Sequence, residues 1–448
     1  MLRTVRVSVA IICFSLISLL FLDFTGTLHV WFGWLAKIQF LPALLALNVG
    51  VILSLLLLTL LFGRIYCSVI CPLGVFQDII AWFGKRGKKL PYTYSRALSW
   101  LRYGILIVFI IAVLAGVGSF VALLAPYSSY GRIISNLFAP LYQLGNNMFA
   151  YLAERAESYA FYEVDVWVKS LSTFIIALIT FGVLVLLAWR NGRTYCNTIC
   201  PVGTFLGIIA KYSLFKPVID VSKCNSCGLC ARHCKAACID SKKHKIDYSR
   251  CVVCLDCLDK CRHGAIKYMR RSAVKDKISS PVVTQDQIDS ARRNFLSVSA
   301  LFAATTVIKA QEKKVDGGLA VIEDKKIPNR VVALTPPGSL SVRNFAKHCT
   351  ACQLCVSVCP NQVLRPSGSL MTLMQPEMSY ERGYCRPECT KCSEVCPAGA
   401  IRPISVSEKS SIQIGHAVWI KENCVVLTDG VDCGNCARHC PAGAIQMV

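Results

Sequence analysis

The chain has 448 residues, of which 54% are hydrophobic and only 17% are charged. A typical soluble domain carries about 25% charged residues, so this composition excludes an ordinary soluble protein and indicates that part of the chain lies in lipid. The 26 cysteines exclude an ordinary cytosolic enzyme, and the long apolar stretches exclude a small secreted disulfide scaffold. The net charge of +23 is typical of nucleic-acid-binding proteins, unless the basic residues collect on one side of a membrane.

Four stretches are long and apolar enough to cross a bilayer as helices, which takes about 20 residues. They span residues 5–22, 41–62, 104–125 and 172–189. Basic residues collect before the first stretch and in segment 63–103, where seven of them accompany a single acid, Asp78. The positive-inside rule therefore places these parts in the cytoplasm and segments 23–40 and 126–171 outside. The charge excess is then a topology signal, and no nucleic-acid partner is predicted.

An internal repeat lies at 63–85 and 192–212, within a predicted membrane domain of residues 1–215. Both copies read Gly-Arg-x-Tyr-Cys-x3-Cys-Pro-x-Gly-x-Phe and follow an apolar helix, which indicates that a two-helix unit was duplicated. One interpretation is a cluster or metal site at the membrane surface. Its ligands would be Cys67, Cys71, Cys196 and Cys200. The alternative is that these thiols only pack helices together.

Two ferredoxin motifs follow in residues 216–270, the predicted cytoplasmic ferredoxin domain. Both have the Cys-x2-Cys-x2-Cys-x3-Cys spacing of bacterial two-cluster ferredoxins, in which the fourth cysteine ligates the other cluster. This predicts two [4Fe-4S] sites: Cys224, Cys227, Cys230 and Cys261 for one, and Cys251, Cys254, Cys257 and Cys234 for the other. Structural zinc is the alternative, but zinc sites usually pair two Cys-x2-Cys units across a longer gap. Cys238 is left over as a buried thiol.

Three further cysteine motifs lie in the predicted domain of residues 346–448. Their members are Cys349, Cys352, Cys355 and Cys359; Cys385, Cys389, Cys392 and Cys396; and Cys424, Cys433, Cys436 and Cys440. The last two motifs both continue into Ala-Gly-Ala-Ile, the start of the strand that usually follows a cluster. If these two motifs exchange fourth ligands, Cys440 completes the site of the middle motif and Cys396 completes that of the last.

The motif at 349–359 then lacks a partner motif. Either Cys359 folds back onto its own cluster, or the partner comes from another chain, or the sequence is shortened, since only eight residues follow Cys440. Across the whole chain the motifs predict about five [4Fe-4S] clusters, with one further site at the membrane repeat.

Residues 271–345 are predicted to form a linker that contains an export signal at 291–310. Arg292 and Arg293 are followed by Asn-Phe-Leu and about 15 apolar residues, the pattern of a twin-arginine signal. The alternative is an amphipathic helix that lies on the membrane. The twin-arginine route moves domains already folded around a cofactor, so the pattern predicts that the C-terminal domain is periplasmic.

Residues 1–270 resemble the NapH-type polyferredoxin membrane proteins, through the apolar stretches, both Cys-x3-Cys-Pro copies and the paired ferredoxin motifs. They are also similar to nitrous-oxide reductase accessory proteins, which share the repeated Cys-x3-Cys-Pro. Residues 291–448 resemble the NapG-type partner, a twin-arginine-exported iron–sulfur protein, although that family has a fourth motif that this sequence lacks. The resemblance implies a fusion of two partners in the bacterial inner membrane.

The expected fold is a bundle of four transmembrane helices with an internal two-helix repeat, plus two α+β ferredoxin-like domains. The resemblance implies a quinol dehydrogenase type of electron transfer between the membrane quinone pool and a periplasmic reductase. Lipid, quinone and a terminal reductase or other electron-transfer subunits are the implied partners. A non-catalytic redox sensor or maturation factor is the alternative. For quinone, His29 with Trp31 and Trp34 is a candidate site, although tryptophans also anchor membrane interfaces.

Overall fold

The computed structural model describes residues 2–86, 92–158, 161–270, 333–381, 383–415, 417–440 and 443–446. The chain divides into two units. The first contains Met1–Ile278 and Ala333–Gly415, and the second contains Ser279–Val332 and His416–Val448. The predicted export signal, with Arg292 and Arg293, lies outside the described residues, so it stays a prediction.

The regular elements described in the predicted membrane domain are almost all helices. Its helices are α1 (Leu2–Leu22), α2 (Thr27–Phe32), α3 (Trp34–Lys37), α4 (Phe40–Leu45), α5 (Val49–Phe62), α6 (Tyr66–Val69), α7 (Pro72–Arg86), α8 (Ser99–Ala115), α9 (Gly118–Leu124), α10 (Pro126–Ile133), α11 (Ala139–Arg155), α12 (Leu171–Asn191), α13 (Thr194–Thr198) and α14 (Pro201–Ala210). A π-helical turn at Ile134–Phe138 connects α10 to α11.

Two of the described helices, α1 and α12, are long and apolar enough to cross a membrane, each with 21 residues. The other two predicted spans are interrupted. The stretch 41–62 is divided between α4 and α5, where the Asn48 side chain accepts a hydrogen bond from Val51 N and starts a new helix. The stretch 104–125 is divided between α8 and α9 at Gly116, which has a left-handed conformation. Four transmembrane helices were expected. Among the described helices, only α1 and α12 have the length and composition to span a membrane without a break.

Parts of the two predicted outer segments enter the core of the bundle. All eight residues of α10 are buried, and α3 buries two of its four residues, Leu35 and Ala36. Tyr130 of α10 packs its ring against Phe14 and Phe21 of α1. A short helix suits this position because it satisfies backbone polar groups internally where water is scarce.

The two copies of the repeat fold in the same way. In each copy an apolar helix, α5 or α12, ends at a glycine with positive φ, Gly63 or Gly192. A short helix follows, and then a longer helix that begins at Pro72 or Pro201. Proline suits a first helical turn because the N–H it lacks would have no partner there. The shared element order supports the predicted duplication.

The ferredoxin segment at 216–270 combines short helices with two-stranded sheets. Its elements are β1 (Phe215–Ile219), α15 (Leu229–Arg232), β2 (Ile239–Asp240), β3 (Lys245–Ile246), α16 (Asp256–Lys260) and β4 (Ile266–Arg270). The antiparallel pair β1–β4 runs from Phe215 opposite Arg270 to Ile219 opposite Ile266, and β2 pairs with β3. Cysteines and aliphatic side chains form a small core between these elements.

The C-terminal motifs are divided between the two units. Residues 333–415 contain α17 (Val342–His348), α18 (Leu354–Ser357), β5 (Leu364–Pro366), β6 (Pro376–Met378), α19 (Lys391–Val395) and α20 (Val406–Ser411). Their apolar side chains, such as Phe345 and Leu354, share one core with Ile17 and Phe21 of α1. The described part of the second unit contains α21 (Val425–Thr428) and α22 (Asn435–Arg438).

Candidate iron–sulfur centres

The four repeat cysteines are gathered inside the membrane domain. Cys67, Cys71, Cys196 and Cys200 are only 3–4% exposed, and the first three are close enough to Cys200 for their charges to act on it. Gln77 Nε2 donates to the Cys196 sulfur at 3.1 Å, and a backbone N–H of α14 donates to the Cys200 sulfur at 3.3 Å. Donors of this kind favour thiolate over thiol, which is the form that binds metal. These residues are called the quartet below.

Two buried arginines cross between the copies of the repeat. Arg64 of the first copy donates to the Cys196 carbonyl at 3.2 Å, and Arg193 of the second copy donates to the Cys67 carbonyl at 2.6 Å. Both arginine side chains are fully buried. The arginine of each motif therefore positions the cysteine loop of the other copy.

The glycine of each motif leaves room for the crossing arginine. A Cβ added at Gly74 would lie 2.9 Å from Arg193 Nη1, and one at Gly203 would lie 2.7 Å from Arg64 Nη2. Each Cβ would also approach a cysteine carbonyl to 2.5 Å or less. Arginine and glycine therefore occur together in the repeated motif, because the glycine of each copy lies against the arginine of the other copy.

The same arginines connect the quartet to the ferredoxin segment at 216–270. Arg64 Nη1 donates to the Ser249 carbonyl at 3.1 Å, and the backbone N–H of Arg193 donates to the Lys235 carbonyl at 2.8 Å. Both carbonyls lie within two residues of a predicted cluster ligand. Two hydrogen bonds, one from a side chain and one from the backbone, thus join the quartet region to one ferredoxin site.

That ferredoxin site is a small cavity lined by the predicted ligands Cys234, Cys251, Cys254 and Cys257. Cys238, predicted to be a buried thiol, is 1% exposed and also lines the cavity. Its sulfur lies 3.5 Å from that of Cys234, and this hydrogen bond lowers the pKa of Cys234 to about 7. Cys238 is therefore placed to donate to a ligand sulfur.

The other predicted site of this segment is supported by fewer contacts. Cys224 and Cys227 lie close enough to Cys230 for their charges to act on it. Cys261, the expected fourth ligand, packs against the same core as Cys224 and Cys230. These contacts agree with the predicted ligand set, which stays a prediction.

Three of the motifs share an unusual backbone conformation. In each Cys-x2-Cys-x2-Cys run, the residues before and after the second cysteine have φ between 52° and 73°. The pairs are Ser226 and Gly228, Val253 and Leu255, and Ala351 and Gln353. Non-glycine residues seldom adopt positive φ, and alternating handedness turns successive N–H groups into a concavity that binds anions such as iron–sulfur clusters. The backbone of these loops is therefore shaped for a cluster.

The C-terminal motifs exchange ligands differently from the prediction. One cavity is lined by Cys349, Cys352, Cys355 and Cys396. Around Cys392, the nearby thiols whose charges act on it are Cys385, Cys359 and Cys389. Motifs 349–359 and 385–396 therefore exchange their fourth cysteines with each other, which corrects the predicted exchange between motifs 385–396 and 424–440.

Packing explains the exchange that the structure shows. Motifs 349–359 and 385–396 lie in one unit and share a hydrophobic core, whereas the motif at 424–440 belongs to the other unit. In the last motif, the backbone N–H of Ala444 donates to the Cys440 sulfur at 3.3 Å. The motif without a partner motif in the chain is thus 424–440 instead of 349–359.

The cysteine-lined cavities agree with the predicted iron–sulfur clusters. Among the described residues, no three or more His, Cys, Asp or Glu side chains are arranged to hold one metal ion. Zinc would need its thiolates about 2.3 Å from a single ion. In a cubane each thiolate binds a different iron, so the sulfurs stand further apart around a cavity. The cysteine-lined cavities and the N–H donors match that requirement.

Helix α10 lies between the quartet and the C-terminal cavity. Its Ser129 forms a hydrogen bond with Tyr195, the residue before Cys196. Its Gly131 lies against the carbonyl of Cys352, to which an added Cβ would approach within 2.4 Å. One buried helix therefore contacts both cysteine sites.

Sequence reasoning did not assign a role to Asp78, whose carboxylate lies among three cationic side chains in the structure. Its carboxylate lies 2.8 Å from Arg193 and 3.2 Å from Arg6, and Lys235 Nζ is 3.5 Å away. Burial alone would raise the pKa of Asp78, but the charges of Arg193 and Lys235 hold it well below its usual range. The available signal was that Asp78 is the single acid of the basic segment 63–103.

The candidate quinone residues near the first outer segment differ in burial. His29 Nδ1 lies 3.3 Å from the Asp23 carboxylate, and its side chain is 5% exposed. Trp31 and Trp34 are 76% and 55% exposed. The exposed indoles are what interface anchoring predicts.

Comparison with known proteins agrees with this geometry. Residues 44–91 and 173–221 match a family described as a 4Fe-4S binding domain. Pyruvate synthase subunit PorD of Methanothermobacter marburgensis is 45% identical over 60 residues, which are 13% of this chain and 73% of PorD. The chain belongs to the ferredoxin-type iron–sulfur proteins. The family matches cover both copies of the repeat, including the four quartet cysteines, and end before Cys224.

Two longer similarities support a place among NapH-like polyferredoxins of the membrane. The ferredoxin-type protein NapH of Haemophilus influenzae is 28% identical over 241 residues, 52% of this chain and 70% of NapH. The putative electron transport protein YccM of Escherichia coli is 24% identical over 229 residues, 49% of this chain and 55% of YccM. This ferredoxin-type chain thus spans little more than half of YccM. No solved structure matches it.

Proposed function

We propose that this chain relays electrons between the membrane quinone pool and a periplasmic reductase, as a quinol-linked iron–sulfur protein of the bacterial inner membrane. The observation that carries the proposal is the buried quartet, which is linked to one cysteine-lined cavity through the crossing arginines and to another through α10. A [4Fe-4S] cluster supplies one-electron exchange when it is bound. The names of the NapH and YccM relatives agree with such a role.

Six ligand sets follow from the cysteine geometry and the motifs. They are Cys67, Cys71, Cys196 and Cys200; Cys224, Cys227, Cys230 and Cys261; Cys234, Cys251, Cys254 and Cys257; Cys349, Cys352, Cys355 and Cys396; Cys359, Cys385, Cys389 and Cys392; and Cys424, Cys433, Cys436 and Cys440. A fully loaded protein would then contain about 24 iron atoms.

The two ferredoxin regions of the first unit contact opposite ends of α1. Arg3 at its start lies 2.8 Å from Asp256 of the cytoplasmic segment. Just beyond its end, the Thr25 carbonyl accepts a hydrogen bond from Lys391 of the C-terminal segment. A helix of this length extends about 30 Å, enough for the hydrocarbon core of a membrane. This separation supports delivery across the membrane.

Residues 333–415 also contact the predicted outer segment 126–171. Lys169 donates to the Val356 carbonyl at 3.3 Å, and Asn136 donates to Gln353 at 2.7 Å. These contacts agree with export of the C-terminal region by the predicted twin-arginine signal. They also support the proposed fusion of a NapH-type membrane part with a NapG-type exported part.

Anaerobic addition of a quinol analogue to the purified full-length protein tests the redox function. We expect bleaching of the cluster absorption and new electron paramagnetic resonance signals, with iron near the predicted content. If dithionite reduces the clusters but no quinol does, the quinol-linked function is wrong and the sensor or maturation alternative is favoured.

A C-terminal reporter fusion tests sidedness. We expect periplasmic reporter activity in the wild type and its loss in an Arg292→Lys, Arg293→Lys double variant. A wild-type fusion that reports from the cytoplasm would remove the step of delivery across the membrane.

A further inference from the structure

A cavity of about 370 Å³ lies where the C-terminal ferredoxin segment meets the membrane helices. Its walls come from the end of α1, the π-helical turn, α11, residues 166–169 and the start of α18. Aromatic and aliphatic side chains dominate the lining, including Phe21, Phe24, Leu137 and Phe174. Pockets for small apolar ligands have about 300–1,000 Å³ and this kind of lining.

Two buried polar atoms in the cavity wall have no hydrogen-bond partner among the described residues. They are Ser135 Oγ and Gln353 Nε2. Gln353 is 2% exposed, and its Oε1 already accepts a hydrogen bond from Asn136 at 2.7 Å. A buried donor without a partner costs free energy, so a ligand that brings oxygen acceptors into the cavity would stabilise this site.

The local backbone also points to a ligand site. Ser135 lies in the π-helical turn Ile134–Phe138, and such turns occur frequently at functional sites. Gln353 has a φ of 66° and stands between the cluster ligands Cys352 and Cys355. The cavity therefore adjoins a redox centre directly.

One side of the cavity borders the expected lipid interface. Its lining residue Leu141 is 65% exposed. The ring of Phe24, another lining residue, packs against Tyr142 and Tyr162, a group of aromatic residues typical of the membrane–water boundary. An isoprenoid chain could leave the cavity past Leu141 into lipid.

We propose that this cavity binds the ring of a membrane quinone or quinol, an inference that rests on the proposed function. The aromatic walls enclose the ring, and Ser135 and Gln353 donate hydrogen bonds to its two oxygens. A larger cavity of about 1020 Å³ near the cytoplasmic segment suits a quinone less, because it is lined mainly by polar and basic side chains such as Arg96, Arg190 and Arg250.

Two variants and a matched control test the site. Leu137→Trp fills the cavity, and Gln353→Leu removes the free donor. Leucine is compatible with the backbone at 353, because Leu255 occupies the equivalent position of another motif with φ 62°. Leu144→Trp is the control, since Leu144 is 55% exposed on α11 and does not line the cavity.

The dissociation constant of a short-chain quinone is measured on full-length, cluster-loaded protein in nanodiscs. Iron content and the dithionite-reduced spectrum show that the clusters are intact in every variant. We expect binding at least about ten-fold weaker in Leu137→Trp, about five-fold weaker in Gln353→Leu, and unchanged in Leu144→Trp.

The outcomes distinguish a failure of the proposed site from a failure of the proposed function. If quinol reduces the clusters but both cavity variants bind quinone as the wild type does, the site is wrong and the proposed function stands. If the wild type binds no quinone and quinol reduces no cluster, the proposed function fails and the site fails with it. Weakening by Leu144→Trp equal to that by Leu137→Trp would also overturn the site.

Discussion

Asp78 shows how one residue can organise a contact between two parts of a protein. It lies in α7 and forms ion pairs with Arg6 of α1, Arg193 of the second repeat copy and Lys235 of the ferredoxin segment at 216–270. Several charged groups taken out of water remain stable only when they are paired in good geometry. The carboxylate compensates cations from three different elements at once.

We predict that Asp78→Asn destabilises the protein by about 3 kcal/mol or more, because cations would stay buried without their partner. Thermal unfolding in detergent measures the loss. The control is Asp259→Asn, since Asp259 is 46% exposed and contacts Arg3 at 3.3 Å, and removing an exposed pair costs about 1 kcal/mol or less. Equal destabilisation by both substitutions would contradict the assigned role.

The same pair of proteins tests pH dependence. The pKa of Asp78 is lower in the folded protein than its ordinary value of about 3.9. Its stabilising contribution is therefore complete above that value and is lost as pH falls below it towards the folded pKa. We expect the difference in melting temperature between wild type and Asp78→Asn to be constant from about pH 5 to 8 and to shrink under more acidic conditions.

At the scale of elements, the crossing arginines make the two repeat copies interdependent. Each cysteine loop is held by an arginine from the other copy, next to a glycine that cannot accept a side chain without a shift. Neither copy can therefore form its half of the quartet alone. This interdependence explains why arginine and glycine appear in both copies of the motif.

We predict that Gly74→Ala and Gly203→Ala each displace a crossing arginine and destabilise the protein by about 1–3 kcal/mol, as overpacking does. Loss of iron from the quartet should accompany the change. Gly182→Ala in α12 is the control, because an added Cβ there meets nothing within 4 Å. Iron analysis and thermal unfolding measure both effects, and unchanged iron in the two motif variants would count against the crossing contact.

The exchange of fourth ligands can be tested by pairs of substitutions. If Cys396 completes the site of Cys349, the Cys396→Ser, Cys349→Ser double variant should lose only about four iron atoms. The Cys396→Ser, Cys385→Ser variant should lose about eight, because it breaks two sites. Iron counting distinguishes the variants. A loss of about eight iron atoms in both variants, with only about four lost in a Cys396→Ser, Cys424→Ser variant, would restore the exchange predicted from the sequence.

For the whole first unit, α10 is one of the elements that connect the C-terminal segment to the membrane domain. It is buried along its length and touches both the quartet region and the loop of Cys352. The expectation from sequence was a loop outside the membrane. In the structure this segment forms a buried helix that contacts the regions of two cysteine sites, and its side of the membrane stays a prediction.

We predict that Gly131→Ala loosens residues 333–415 from the membrane domain, because its Cβ would meet the Cys352 carbonyl and the ring of Phe21 within 2.7 Å. Limited proteolysis of this segment should become faster, and reduction of its clusters by quinol should slow. Gly145→Ala on α11 is the control, with open space around an added Cβ. Identical proteolysis in both variants would show that α10 does not hold the segment.

Sequence alone determined the chemistry of this protein and much of its arrangement. Cysteine spacing identifies local ligand sets because three ligands of a cluster come from one short loop. The apolar stretches predicted α1 and α12, because hydrophobic length is a local property. The meeting of Cys67 and Cys71 with Cys196 and Cys200 was predictable for another reason. The two copies share one motif, and each copy follows an apolar helix, so their cysteines are expected at equivalent positions.

Only the tertiary structure decided which distant groups meet. Where two motifs exchange their fourth cysteines, choosing Cys396 for the site of Cys349 requires knowing which segments share a core. The same holds for Asp78 with its three cations, for the breaks in two apolar stretches, and for the buried position of α10. These features depend on packing between residues that are far apart in the chain. The local sequence pattern carries no information about such packing.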